Sequence, residues 1–375
     1  LNITHNMIIP ENILLPEQTL FRKNAACEIA KATQSYGSHG LIVHGNSLDA
    51  HGKKERILKN FSHPEHIALF CRNGGEPTLE EVSTVIAKAK ESKAQWIIGI
   101  GGGSVLDLAK AAAGLFNAKE SPVVYQKGKR LEKPGIPFIA IPTTAGTGSE
   151  ATSNSVISNP ERKTKLSIRD KSFMAKTVIL DPSLLEGIPK ESLAYSAMDA
   201  LVQSYESYIS KNASWLTETY ALKSIELINN NIIPAYTKPT IEHLSALLLG
   251  SYLGGIAFSH SRLGVIHGIV HPLGYLYKIP HGLLCSLCFI PSIQINKSVI
   301  GEKYDILSSV MKNDIIIRCQ ELLKTLHISS PLKGMAILEK EMIISETLSS
   351  GSTAANPKKI TREDVEYILN YLFNV

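Results

Sequence analysis

The chain has 375 residues, of which 44% are hydrophobic and 19% charged, and it carries a formal net charge of +5. That length exceeds the usual single core and predicts two domains, while Lys and Arg are scattered, with no basic stripe interleaved with aromatics, which argues against a nucleic-acid partner. No run of about 18 or more apolar residues occurs, and the opening "LNITHNMIIPENILLPEQ" is interrupted by Asn, His, Pro and Glu, so a soluble, cytoplasmic protein with no membrane partner is expected.

From residue 38 to about 182, short β-rich runs ("GLIVHG", "HIALFC", "AQWIIGIGGG", "PFIAIPTT", "KTVILDP") alternate with helical patterns such as "LEEVSTVIAKAKE" and "VLDLAKAAAGLF". Each strand candidate is nearly all apolar rather than alternating, as it must be when helices cover both faces of a sheet. The expectation is an α/β domain over 1–182 with a doubly wound parallel sheet. After "DPSLLEGIP" the period changes: "ESLAYSAMDALVQSYESYIS", "WLTETYALKSIELINNN" and "IEHLSALLLGSYLGGIAF" place apolar residues three and four apart, which predicts an all-helical domain over 183–375. A ligand would sit in the crevice between the two domains.

The first strand, "GLIVHG", ends at Gly45 and is followed by Asn46 and Ser47, with Lys53 and Lys54 nearby. An acid at this place would chelate ribose hydroxyls and favour NAD; room plus donors suits a 2′-phosphate instead. NADP(H) is therefore expected in preference to NAD(H), with Asp49 the one acid able to turn back to the ribose. In "WIIGIGGGSVLDLAK" an apolar strand runs through Gly101, Gly102 and Gly103 into a helix beginning near Ser104. Glycines let the backbone approach a pyrophosphate, and the free N–H groups of the next helix face its charge. A second loop, "PTTAGTGSEAT", brings Thr143, Thr144, Thr147, Ser149 and Thr152 to the end of the strand "PFIAI", where hydroxyls and exposed amides suit a ligand with phosphate, ribose and amide groups.

In "AMDALVQSYESYIS", Asp199 and Gln203 are four apart and share one helical face. The stretch "HGIVHPLGYLYKIPHG" then sets His267, His271 and His281 beside Pro272 and Pro280 in an otherwise apolar domain, a pattern that points toward a divalent cation. Five cysteines (Cys27, Cys71, Cys285, Cys288, Cys319) form an odd set without framework spacing, read as reduced, buried thiols. The apolar flanks of "CSLC" make core packing the expectation for Cys285 and Cys288.

Six stretches, "NGGEPTLEEV", "GGGSVLDLAKA", "IPTTAGTGSEAT", "MDALVQSYESYIS", "GIAFSHSRLGVIHGIVHPLGYLYKIPHG" and "NPKKITREDVEYIL", keep their order from about residue 40 to 370. Together they resemble the iron-containing, group III alcohol dehydrogenases of the superfamily that includes glycerol dehydrogenase and dehydroquinate synthase. The resemblance implies that Gly102, Gly103, Ser104 and Asp107 contact the pyrophosphate and nicotinamide ribose, with Thr143, Thr144 and Thr147 supporting the cofactor. It implies that Asp199, His267 and His281 hold a metal, and that His271 faces nicotinamide and substrate as a proton relay. Group III enzymes usually carry a histidine where this chain has Gln203, a poorer neutral ligand for Fe²⁺. The resemblance also extends to glycerol dehydrogenases, which lack that histidine and bind zinc. One divalent metal is expected, Fe²⁺ or Zn²⁺, although some related reductases work without one.

The implied activity is reversible hydride transfer between NAD(P)H and a small aldehyde or ketone, by a homodimer. Lys165 matches a family lysine near the active site. With Arg262 and Lys278 it suggests an alternative, an anionic aldehyde such as phosphonoacetaldehyde. A non-catalytic nucleotide-binding protein is the alternative of a different class.

Overall fold

Apolar β-branched runs pair into a parallel sheet when helices cover both of its faces, so that its inner strands have no solvated side. In the computed structural model, residues 12–49, 52–159 and 164–374 are described, and the chain divides into a unit of Leu14–Ile188 and a unit that takes in Pro189 onward. The strands of the first unit are β1 (Gln18–Phe21), β2 (Gly40–Gly45), β3 (Ile67–Arg72), β4 (Trp96–Gly101), β5 (Phe138–Pro142), β6 (Asn154–Asn159), β7 (Thr164–Arg169) and β8 (Thr177–Leu180). Six of them form one all-parallel sheet in the order β1-β8-β5-β4-β2-β3, and β6 and β7 form a separate antiparallel hairpin. The parallel α/β architecture expected from the sequence is the one found.

Chain order reverses beside β2, which pairs with β3 on one side and β4 on the other. The carboxyl ends of β2 and β4, at Gly45 and Gly101, therefore flank a switch point, where open α/β sheets bind ligands. Among the helices of this unit are α1 (Ile29–Thr33), α2 (Lys53–Leu58), α3 (Leu79–Glu91), α4 (Gly103–Gly114) and α5 (Pro122–Gln126). A capping box, Thr78 with Glu81, starts α3. Beneath the sheet, Ile42, Trp96, Ile98, Ile100, Ile139 and Ile179 pack into one core with Ala25, Ala26 and Ile29.

The second unit is helical, as expected: α6 (Lys190–Ile209), α7 (Trp215–Thr237), α8 (Ile241–Ser261), α9 (Val265–Tyr277), α10 (His281–Ile300), α11 (Glu302–Met311), α12 (Ile315–Thr325), α13 (Lys340–Ser349) and α14 (Arg362–Asn374). From Ala197 to Ile209, α6 is buried on every side, which marks it as the central helix. Over an 18-residue window, α8 and α10 are long and apolar enough to cross a bilayer by composition; those windows are 56% and 72% buried inside this unit, so packing among helices accounts for their apolar character.

Candidate active site

The two glycine- and threonine-rich loops meet. Helix α4 has Gly102 as its N-cap, in extended backbone, and no side-chain cap, so its first N–H groups are left to a ligand. A Cβ on Gly103 would lie 2.5 Å from Thr147 Cγ2, and one on Gly102 would lie 3.3 Å from Thr144 Oγ1. Close approach of the β5 loop to the start of α4 thus requires glycine at 103, and it sets the Thr144 and Thr147 side chains against the cradle. Thr143 N donates to Gly101 O at 3.0 Å, continuing the strand pairing into the loop.

Asp107 and Lys110, on the next turns of α4, tie the loop down. Asp107 Oδ1 accepts from Ser149 Oγ at 2.6 Å and its Oδ2 accepts from Val156 N at 3.0 Å. Lys110, fully buried, donates to Ser149 O (2.6 Å), Ser149 Oγ (2.9 Å), Thr152 Oγ1 (2.9 Å) and Asn154 O (2.8 Å). These bonds take up both Asp107 oxygens and the Ser149 hydroxyl, so in this structure the two side chains brace the loop. Arg72, buried at the end of β3, donates to Ser104 Oγ at 3.3 Å and pairs with Glu81 at 3.2 Å, which places a guanidinium beside the cradle. At the end of β2, Asn46 and Ser47 are exposed. Asp49 pairs with Lys54 and faces the exposed Cys71 thiol at 3.8 Å.

The second cluster lies in the helical unit. Asp199 on α6, His267 on α9, His281 at the first position of α10 and Cys285 one turn later offer donor atoms that all lie within 4.8 Å of one another. His267 Nε2 and His281 Nε2 are 3.5 and 3.7 Å from Asp199 Oδ1, which is buried yet accepts no hydrogen bond of ordinary geometry. Tetrahedral ligands around zinc stand about 3.4 Å apart for O and N donors, so the spacing fits donors arranged around a common point. Gln203, one turn after Asp199, is buried with its Oε1 likewise unpartnered. Buried oxygens without donors are costly unless something electropositive meets them, and the residues present fit a divalent cation.

Glu206, two turns beyond Asp199, completes the arrangement. Its Oε2 accepts from His267 Nδ1 at 2.6 Å and its Oε1 accepts from Ile266 N at 2.6 Å, in the first turn of α9. This keeps one proton on Nδ1, so that Nε2, which faces Asp199, is the nitrogen that presents a lone pair once its own proton is displaced. Burial pushes the His267 pKa down, but Asp199 and Glu206 outweigh it and raise it to about 9. Burial pushes the Asp199 carboxyl up, and the facing His281 and His267 bring it below the ordinary value.

A family model for the iron-containing alcohol dehydrogenases matches residues 16–182, and the model of that family's C-terminal region matches 193–373. Alcohol dehydrogenase 4 of Saccharomyces cerevisiae is 30% identical over 88% of this chain and 89% of its own length. The chain belongs to the iron-containing alcohol dehydrogenase family. The NAD-dependent methanol dehydrogenase of Bacillus methanolicus is 29% identical over 96% of this chain and 98% of its own. A solved 1,3-propanediol oxidoreductase superposes with a TM-score of 0.90 at 26% identity, covering 96% of this chain and 99% of that one. This iron-containing alcohol dehydrogenase family member is therefore an enzyme that interconverts alcohols and aldehydes with a nicotinamide dinucleotide, in a family that uses a divalent metal.

Some expectations for this dehydrogenase need adjustment. Cys285 is buried, as core packing required, but it also stands in the donor cluster, 3.6 Å from His281 Nε2 and 3.9 Å from His267 Nε2. Cys71 is exposed rather than buried. Helix α9 runs through Pro272, and the break between α9 and α10 comes at Lys278 in the left-handed region and at Pro280, the N-cap of α10. His271 stacks on His281, with ring centroids 5.7 Å apart. Arg262 and Lys278 are exposed C-caps, and Lys278 lies 4.3 Å over the Tyr275 ring. The side chain of Lys165 lies outside the described residues. Arg72, Lys110 and Glu206 were not singled out in the sequence, since a charged residue inside an apolar pattern does not name its partner.

Proposed function

We propose that the chain catalyses reversible hydride transfer between NADP(H), in preference to NAD(H), and a small aldehyde or ketone, with one Fe²⁺ or Zn²⁺ held by Asp199, His267 and His281. The observation that carries this reading is the convergence of His267 Nε2 and His281 Nε2 on Asp199 Oδ1, a buried oxygen with no hydrogen bond of its own.

A cation bound there supplies Lewis-acid polarisation of the substrate oxygen, where negative charge grows as hydride reaches carbon. Asp199 contributes the anionic ligand. Glu206 holds the Nδ1 proton of His267 and so keeps Nε2 available. His271, stacked on His281, carries the proton exchanged with the alcohol oxygen. In the other unit, the uncapped N–H groups of Gly103 and Ser104 would receive the pyrophosphate, with Thr144 and Thr147 lining the same cradle. Absence of a carboxylate at Gly45, Asn46 and Ser47, with Asp49 engaged by Lys54, supports the 2′-phosphate form of the cofactor.

The test is metal removal. Chelator-stripped protein should lose aldehyde reduction and regain it with Fe²⁺ or Zn²⁺, and Asp199→Ala should lose both bound metal and turnover while still quenching NADPH fluorescence. Full turnover by stripped protein would overturn the reading.

A further inference from the structure

We infer that Cys285 is a fourth protein ligand of this cation, a thiolate that makes up for Gln203 and turns the site from iron toward zinc. The inference rests on the metal reading above and adds the identity of the shell.

Cys285 Sγ is 3.6 Å from His281 Nε2 and 3.9 Å from His267 Nε2. Sulfur and nitrogen ligands on one tetrahedral zinc are about 3.6 Å apart, given bonds of about 2.3 and 2.1 Å, so the thiol stands at ligand spacing from both imidazoles. Sequence spacing explains the placement: Cys285 follows His281 by four residues and lies on the same face of α10. The pattern of vacancies agrees. Asp199 (3% exposed) and Gln203 (4% exposed) each bury an oxygen, Oδ1 and Oε1, without a hydrogen-bond donor, so the pocket has oxygen acceptors and a sulfur but too few donor hydrogens to satisfy them.

Binding converts the S–H to a thiolate bonded to the cation and releases the proton to solvent. A carboxylate and a thiolate then balance the two positive charges of the ion. Thiolate is a soft donor that favours zinc, whereas an oxygen and imidazole set leaves iron competitive. Substrate oxygen can still reach such a site, because zinc expands to five ligands. Cys288 is also buried on α10 but stands outside the donor group, which makes it the internal control.

Co²⁺ is the probe. Chelator-stripped protein is loaded with it, bound cobalt is counted by elemental analysis, and the near-ultraviolet thiolate-to-cobalt charge-transfer band is recorded. Wild type and Cys288→Ser should bind one ion per chain with the band. Cys285→Ser should bind cobalt at least about ten-fold more weakly and lack the band. With Zn²⁺ and Fe²⁺ in competition, the wild type should load zinc and the double variant Cys285→Ser/Gln203→His should shift toward iron. Cobalt bound by wild type without the band, or a band that survives in Cys285→Ser, overturns the thiolate ligand while leaving the metal reading intact. No cobalt uptake by wild type overturns both.

Discussion

On the proposed NADP(H) reading, one residue at the end of β2, Gly45, selects the dinucleotide. Gly45 sits in extended backbone (φ −95°, ψ 169°), and a Cβ there would meet only Val105 Cγ2, at 3.4 Å. Nothing in the backbone demands glycine, so Gly45→Asp should fold. The new carboxylate would accept from ribose hydroxyls and repel a 2′-phosphate. A charged hydrogen bond of about 1.5–3 kcal/mol translates into a fall of roughly 10- to 100-fold in the NADPH-to-NADH ratio of kcat/KM. Steady-state kinetics with both cofactors measures it, and an unchanged ratio would mean that this strand end does not face the ribose. At the same scale, Glu206 shows how a side chain that need not touch the cation determines what one that does can offer. Its two oxygens occupy the far nitrogen of His267 and the backbone at the start of α9.

At the scale of elements, the site depends on how closely α10 approaches α6. A Cβ on Gly282 would fall 2.2 Å from Tyr195 O, a backbone atom that cannot rotate away. Glycine next to His281 therefore lets the first turn of α10 lie against α6, with His281 and Cys285 facing Asp199. In Gly282→Ala the helices must part. Overpacking of this kind costs about 1–3 kcal/mol, and the donors would separate with it. We expect a lower unfolding midpoint together with a loss of bound metal in elemental analysis; a variant that keeps its full metal content would show that helix spacing does not control the cluster. The α9–α10 connection serves the same end, because Lys278 in the left-handed region and Pro280 at the N-cap reverse the chain in three residues.

Over the whole molecule, a buried carboxylate in one unit makes stability depend on pH. In the unit of Leu14–Ile188, Glu150 is buried with Oε1 unpartnered. Burial raises its pKa to about 7, and its backbone hydrogen bond and Lys110 offset that only in part. The folded pKa lies above the unfolded value of 4.5, so the folded state holds the proton more tightly. Stability is fully present below the unfolded pKa and is lost as pH rises through about 7, a fall of roughly 3 kcal/mol. Glu150→Gln should flatten that dependence and be the more stable form near pH 8. Urea unfolding of both proteins at about pH 5 and about pH 8 checks this, and parallel curves would refute it.

Local order was legible because it is local chemistry. The apolar runs of β2, β4 and β5, the changed period after residue 182 and the glycines at 101–103 each name an element or a turn from neighbouring residues alone. Strand β1, with four residues, and the β6–β7 hairpin, rich in Ser and Asn, carry too short or too polar a signal and emerged only in the fold. Type and spacing nominated Asp199 with the histidines at 267, 271 and 281, and the family resemblance chose His267 and His281 among them. Tertiary structure alone decided that Cys285 joins them, that Glu206 holds the Nδ1 proton of His267 and that Lys110 braces the β5 loop. Residue type states what a side chain can donate or accept. Which partner it meets depends on contacts between positions dozens of residues apart, and no pattern of near neighbours encodes that distance.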